Sequence, residues 1–286
     1  MIRLLTSLKN FNELVMFQHS IFSLPFIFIA MIVSANGWFG WYLLVMGALA
    51  AVTARNFAMG LNRYADRDID SKNPRTASRP SVDGRISAKA ILAFTLANGL
   101  GFILIAYFIN TLAFYLALPI LAVLGSYSYF KRFSALAHII LGISLGLAPI
   151  AGVVAVEANI PLWSLFLSLG VLFWVAGFDL LYSLQDIDFD KGAGLHSIPS
   201  RFGAKNTFKI AQFFHLFTII FWSLFVMQAN LGMFAYIAVI FSALMLAYEH
   251  YLVNKDFTKI DRAFFTVNGY LGIIFIILII IEKVSA

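Results

Sequence analysis

A chain of 286 residues that is 61% hydrophobic and only 12% charged, with a mean hydropathy of +0.88, excludes a soluble globular domain, which would carry about a quarter charged residues. The formal charge of +6 is no nucleic-acid signature, because the basic residues sit in loops between apolar spans. The absence of cysteine excludes disulfides, thiolate metal sites and thiol chemistry.

The apolar runs are long enough to cross a bilayer as helices, so an all-α polytopic membrane protein is expected. Nine spans are expected, at 14–33, 38–61, 88–109, 111–130, 134–156, 161–184, 207–228, 231–252 and 263–281. Residues 1–13 lack the order of regions that marks a removable signal peptide, so a retained first span is expected from Leu14. Lys and Arg occupy the N-terminal segment and the loop after every even-numbered span, while the intervening turns (34–37, around Asn110, 157–160 and 228–230) hold none. That alternation predicts the N-terminus and the charged loops on the cytoplasmic side of the inner membrane, and the C-terminus on the other side. The whole of 1–286 is expected to form one membrane domain.

Charge is scarce, yet it gathers at Asn62-Arg63-Tyr64-Ala65-Asp66-Arg67-Asp68-Ile69-Asp70 and on through Lys72, Arg75, Arg79 and Pro80. A second cluster holds Asp179, then Asp186, Asp188, Asp190 and Lys191. Asp66 and Asp70 recur as Asp186 and Asp190, each 120 residues later and four spans on. Four spans restore the same orientation, so two pseudo-repeated four-helix units around a central cavity are expected. On continuous helices Asn62, Asp66 and Asp70 share one stripe, as do Asp179, Asp186 and Asp190, while Asp68 and Asp188 face away.

Two facing carboxylate stripes repel unless a cation lies between them. Oxygen ligands without Cys or a His-plus-carboxylate spacing favour Mg2+, which combines a few carboxylates with substrate phosphate oxygens. Lys72, Arg75, Arg79 and Lys191 then suit the phosphates. Acid for metal and base for phosphate, beside an apolar bundle, reads as a diphosphate site whose substrate has a tail in the membrane. Asp179 and Arg55 lie inside the expected spans, where ionisable residues are costly and point to function. Arg55 shares the Asn62 face and is open to three roles: binding phosphate, binding a substrate carboxylate, or pairing with Asp179.

At Asn62-x3-Asp66-x3-Asp70 and Asp186-x3-Asp190 the sequence resembles the UbiA superfamily of intramembrane aromatic prenyltransferases. Arg75-Thr76-Ala77-Ser78-Arg79-Pro80 is similar to the RTxxRP run of that family, and Asp179-x2-Tyr182 to the segment before its second motif. The first motif departs from the usual Asn-Asp start, having Asn62-Arg63. The resemblance covers the whole chain. It implies Mg2+-dependent transfer of a polyprenyl group from polyprenyl diphosphate to an aromatic acceptor, with Asn62, Asp66, Asp70, Asp186 and Asp190 holding the metal and diphosphate. Asp66, Asp70, Asp186, Asp190 and Arg75 are the candidate catalytic residues. Asn62, Arg55, Lys72, Arg79, Asp179, Tyr182, Lys191 and His19 are the candidate substrate-binding residues. Tyr64, Tyr127, Tyr129 and Tyr182 are candidates for stabilising an allylic cation.

The run His19-Ser20-Ile21-Phe22-Ser23-Leu24-Pro25-Phe26 resembles the 4-hydroxybenzoate polyprenyltransferase-like group of quinone biosynthesis, and within it members of the futalosine route to menaquinone. The implied acceptor is 4-hydroxybenzoate or 1,4-dihydroxy-6-naphthoate, with the bilayer and the two substrates as the only partners expected. Membrane CDP-alcohol phosphotransferases also use carboxylates spaced by four, but Ala54-Arg55 here has no Asp-Gly ahead of it. A transporter would place charge or paired helix breaks near the midplane, whereas here charge collects at one side.

Overall fold

The computed structural model describes residues 2–16, 22, 24–256 and 259–285, without the side chains of residues 2–8 and 262. Among them the chain is helical throughout: α1 (Ile2–Val15), α2 (Leu24–Ser34), α3 (Trp41–Ala65), α4 (Arg67–Asp70), α5 (Ala88–Ile109), α6 (Thr111–Phe130), α7 (Ala137–Glu157), α8 (Leu162–Tyr182), α9 (Ile187–Gly192), α10 (Ile198–Gln228), α11 (Met233–Lys255), α12 (Ile260–Arg262) and α13 (Asn268–Ser285). Eight of these segments are long and apolar enough to cross a membrane, and α2 is a shorter apolar helix.

The bounds expected for the third and fourth spans coincide with α5 and α6. Asn110 explains the sharp turn between them. Its extended backbone ends α5, its Oδ1 caps α6 by accepting from Ala113 N at 2.8 Å, and its Nδ2 donates to Val154 O at 2.7 Å. Pro119 and Pro149 lie inside helices that stay continuous.

The first span is corrected. Residues 14–33 do not form one helix: α1 ends at Val15, Met16 has φ +47°, and α2 begins at Leu24. The physical reason lies in α3. Arg55 Nη2 donates to the carbonyls of Val15 and Met16 at 3.4 and 3.1 Å, and Arg63 Nε donates to Leu14 O at 3.3 Å. The free carbonyls at the α1 C-terminus are thereby satisfied without continuing the helix. At about 1.5 Å per residue, the 11 residues of α2 extend roughly 16 Å, about half of a bilayer core.

Water cannot drive helix association inside a membrane, so small residues that permit close approach matter most. On α7, an added Cβ at Gly142 would strike Leu172 O, one at Gly146 would lie 2.9 Å from Ser168 O, and one at Gly152 would strike or crowd Ile27 O. Ser168 Oγ donates to Gly146 O at 2.6 Å across that contact. On α8, Gly170 and Gly177 are notches for the Trp222 and His215 rings of α10. Both glycines and both rings are seven residues apart, so two antiparallel helices interlock twice. A buried polar brace joins the same half: Trp174 Nε1 donates to Asn268 Oδ1 at 2.7 Å, and Asn268 Nδ2 to Glu249 Oε1 at 2.7 Å. His215 Nδ1 and His250 Nε2 share a hydrogen bond of 2.9 Å beside it.

Charge gathers at one end of the bundle. At the opposite end Glu282 of α13 accepts from Gly232 N and Phe234 N at 2.6 and 2.9 Å, and Lys283 Nζ donates to Asn36 Oδ1 at 2.8 Å. The C-terminal helix therefore ends beside the uncharged turns.

Candidate active site

The repeat seen in the sequence is also a repeat of backbone shape. Helix α3 breaks at Asp66 (φ −94°, ψ 7°) before short α4, and α8 gives way to a 3-10 turn (Ser183–Asp186) ending at Asp186 (φ −104°, ψ 5°) before short α9. Each motif is thus a long helix, a kink at its first aspartate, and one more turn that ends with or holds the second. Across Asp66 the bonds from Asp66 N to Asn62 O (2.9 Å) and Asp70 N to Asp66 O (2.7 Å) keep the first expected stripe, whereas the turn before Asp186 corrects the second. Asp179 belongs to α8, and Asp186 and Asp190 follow a turn of different pitch, so the seven-residue spacing does not carry through.

Asn62, Asp66 and Asp70 are buried at 5%, 1% and 4% exposure. Asn62 Nδ2 donates to Asp66 Oδ2 at 2.8 Å, and Lys131 Nζ lies 2.6 Å from the same oxygen. Burial pushes the Asp66 carboxyl above the usual carboxylate range, and Lys131 pulls it back. Asp66 Oδ1 is buried without a hydrogen bond among the described residues. Arg79 Nη1 donates to both oxygens of Asp70 at 2.7 Å, and Thr76 Oγ1 to Asp70 O at 2.9 Å.

The first loop reaches the second motif through Arg75. Its Nε and Nη2 donate to Asp186 Oδ1 and Oδ2 at 3.0 and 2.6 Å, a fork that fits a carboxylate edge. Its guanidinium lies 5.6 Å above the Tyr182 ring and its Nη1 donates to Tyr182 Oη at 3.4 Å. Asn73 Nδ2 also donates to Asp186 Oδ1, at 3.3 Å. Asp190 accepts from Ser197 Oγ, the α10 cap, at 2.7 Å.

The remaining predicted residues are more scattered. Lys72 and Lys191 are exposed, and their ammonium groups make no hydrogen bond or ion pair among the described residues. His19 lies outside the described residues. The pairing of Arg55 with Asp179 is corrected: Arg55 holds the α1 carbonyls, and Asp179 Oδ2 is 2.7 Å from His138 Nδ1. Of the four tyrosines, Tyr64 and Tyr129 are 38% and 44% exposed, and Tyr127 and Tyr182 face the site. Asp68 is on the surface, where Arg132 holds its carboxyl below the usual range.

Sequence reasoning missed Lys131, Asn73, Ser197 and His138. Lys131 was legible only as loop charge, because its partner Asp66 is 65 residues away. His138 lies inside the expected span 134–156, and nothing in the sequence marks its partner Asp179, 41 residues on.

Below this charged layer runs an apolar cavity bounded by α2, α3, α5, α6 and α7. Arg55 and Tyr127 stand at its charged end, and Ala113, Met31 and Gly152 line it far from there. From Tyr127 to Ala113 along α6 is about 21 Å at 1.5 Å per residue. Ala50, Ala51, Ala54 and Ala58 keep its α3 wall thin.

The donor set of both motifs is oxygen only, and Asp66 Oδ1 is buried without a hydrogen bond among the described residues, with Arg132 Nη2 at 3.8 Å, which suits a hard divalent cation. Among the described residues no three His, Cys, Asp or Glu side chains already converge on one point. The carboxylates instead engage Lys131, Arg79 and Arg75.

A model of the UbiA prenyltransferase family matches residues 23–277. The chain belongs to this family. With its eight apolar helices it is a multi-pass membrane protein. A 4-hydroxybenzoate octaprenyltransferase of Herminiimonas arsenicoxydans is 31% identical over 174 residues, 61% of each chain. The chain thus spans about 61% of the length of the first curated relatives it matches. Among solved structures, the apo UbiA homolog from Aeropyrum pernix K1 has a TM-score of 0.84 at 32% identity, covering 92% of this chain and 98% of that one. A UbiA homolog from Archaeoglobus fulgidus bound to GPP and Mg2+ has a TM-score of 0.78 at 21% identity, covering 97% and 100%, and shares the fold.

Proposed function

We propose that the protein transfers a polyprenyl group from polyprenyl diphosphate to a hydroxylated aromatic carboxylic acid of the 4-hydroxybenzoate type, in respiratory quinone biosynthesis. The observation that carries this reading is the Arg75 fork on Asp186, which makes the two motifs one charged site above an apolar cavity. The activity of the 4-hydroxybenzoate octaprenyltransferase relatives supports it, as do the Mg2+ and GPP bound by the Archaeoglobus fulgidus homologue.

Asn62, Asp66, Asp70, Asp186 and Asp190 would hold Mg2+. When bound, the ion neutralises charge developing on the departing diphosphate. Arg75, Arg79 and Lys131 now neutralise the carboxylates, and they are the groups that would turn to the phosphate oxygens once the acids are otherwise engaged. The apolar cavity takes the tail and keeps water from the allylic carbon as its bond to oxygen lengthens. The faces of Tyr182, beneath Arg75, and Tyr127, at the cavity, would suit its growing positive charge. Arg55 lines the cavity at the charged end, with Nε buried and without a hydrogen bond among the described residues. It suits the acceptor carboxylate. In this reading residues 1–286 are one domain in the inner membrane, with both motifs cytoplasmic.

Purified protein in detergent with Mg2+ is expected to release pyrophosphate from a polyprenyl diphosphate only when an aromatic acid is present. Supplying 4-hydroxybenzoate and 1,4-dihydroxy-6-naphthoate in parallel identifies the acceptor. No prenylated product with either would refute the assignment.

A further inference from the structure

We propose that the His138–Asp179 pair is the base that accepts the acceptor's ring-hydroxyl proton, a further catalytic group for the reaction proposed above, on which this inference rests. His138 stands in the first turn of α7 with its side chain 7% exposed, and its Nδ1 is 2.7 Å from Asp179 Oδ2. A carboxylate only accepts hydrogen bonds, so the shared proton is on Nδ1 and donates to Asp179. That fixes the tautomer and leaves the lone pair on Nε2. His138 Nε2 is buried and has no hydrogen-bond partner among the described residues. A buried acceptor atom without a donor demands an explanation, and an incoming hydroxyl supplies one.

The position along α7 adds the second argument. His138, Leu141 and Leu145 follow the i, i+3, i+7 rhythm of one helix face, and both leucines line the apolar cavity. His138 therefore stands one turn before Leu141 on the helix face that lines the cavity. On α3, Arg55 lines the same cavity, and its Nε is a buried N–H donor that also lacks a hydrogen bond among the described residues. A free donor on Arg55 and a free lone pair on His138 are complementary to a carboxylate and a ring hydroxyl on one acceptor. His215 and His250 bond to each other, and His215 Nε2 meets Trp174 O at 3.3 Å; His250 Nδ1 is also buried without a hydrogen bond among the described residues, but it belongs to α11, which does not line the cavity.

The step balances as follows. The hydroxyl O–H bond breaks and its proton goes to His138 Nε2, giving an imidazolium that Asp179 stabilises. The oxygen electrons enter the ring, whose neighbouring carbon forms the new C–C bond to the allylic carbon. The allylic C–O bond breaks and its electron pair leaves with pyrophosphate. The ring C–H proton then passes to pyrophosphate, and His138 returns its proton to the oxygen, restoring the aromatic ring. No oxidant or further reactant is required.

The test compares wild type, His138→Ala, His138→Gln and Asp179→Asn in detergent with Mg2+ and a polyprenyl diphosphate. Each is assayed with 4-hydroxybenzoate and with its 3-fluoro analogue, whose hydroxyl ionises more readily. His138→Gln keeps the size and hydrogen-bonding capacity of the side chain, and donor KM in each variant reports an intact fold. Both His138 variants are expected to lose about 10²–10⁴-fold in kcat on 4-hydroxybenzoate. Donor KM should stay within about threefold. The deficit should shrink by about tenfold or more on the fluorinated acceptor, since the missing base matters less there. Asp179→Asn should share the loss, because it disturbs the tautomer. Wild-type kcat in His138→Gln overturns the base, because an amide cannot take the proton. An equal deficit on both acceptors, or a loss confined to donor KM, also overturns it. If the wild type prenylates only 1,4-dihydroxy-6-naphthoate, the same variants are compared on that acceptor, and wild-type kcat in His138→Gln there overturns the base; absence of product from the wild type with all of these acceptors would instead remove the functional reading beneath it.

Discussion

Replacing Lys131 by methionine is expected to move two constants in opposite directions. Lys131 Nζ lies 2.6 Å from Asp66 Oδ2, with side chains 29% and 2% exposed. Breaking a fully buried pair costs about 3–5 kcal/mol, but this ammonium is partly solvated, so about 1 kcal/mol is the better figure. If Lys131 competes with Mg2+ for Asp66, its removal lowers the Mg2+ needed for half-maximal rate by about fivefold. The diphosphate meanwhile loses a charge-assisted hydrogen bond of about 1.5–3 kcal/mol, so donor KM rises about 10- to 150-fold. The carboxyl of Asp66, already raised by burial and pulled back by Lys131, rises further without it. The ionised form then needs higher pH, and the acid limb of the rate profile moves toward alkaline pH. Mg2+ and donor titrations at alkaline pH, where protonation does not compete, measure both constants. An unchanged donor KM, or both constants moving together, would refute the reasoning.

Arg75→Lys keeps the charge but not the fork on Asp186. Donor KM is expected to rise about tenfold, and an unchanged value in steady-state kinetics would contradict the fork's role. Gly177→Ala drives a methyl into the His215 ring and is expected to destabilise by about 1–3 kcal/mol. Thermal unfolding in detergent checks it, and an unchanged midpoint contradicts the close packing. Arg85 donates to Glu13 at 2.6 and 2.8 Å and holds its carboxyl below the usual range. A folded-state value below the unfolded one means that this clamp on α1 contributes above the ordinary glutamate pKa and is lost as pH falls through the lowered value. Hydrogen exchange in α1 should rise only on that acid side, and a flat profile would contradict the clamp.

The helical bundle was legible because a span is a long signal, and one-residue turns such as Asn110 leave little freedom in its bounds. The first span misled for a physical reason: hydropathy does not register that Arg55 and Arg63, 39 and 49 residues away, satisfy the carbonyls that end α1. The acidic motifs were legible as spacing, yet spacing assumes one continuous helix, and the kinks at Asp66 and Asp186 carry their own information. Reach, not exposure, separates the cations of the first loop, since Lys72 and Arg75 are both exposed. Lys72 and Arg75 are three residues apart in one loop, but only Arg75 reaches across to Asp186, and nothing in a single sequence distinguishes them. Lys131 and His138 stayed hidden because their meaning lies in partners on other helices, Asp66 and Asp179.

The central claim is that motifs 120 residues apart make one metal-dependent diphosphate site. Calorimetric titration with a non-reactive polyprenyl thiodiphosphate tests it directly. Wild-type protein is expected to bind the analogue only with Mg2+, and Asp66→Ala and Asp190→Ala are each expected to abolish that Mg2+-dependent binding. Metal-independent binding, or wild-type affinity in either variant, would contradict the claim.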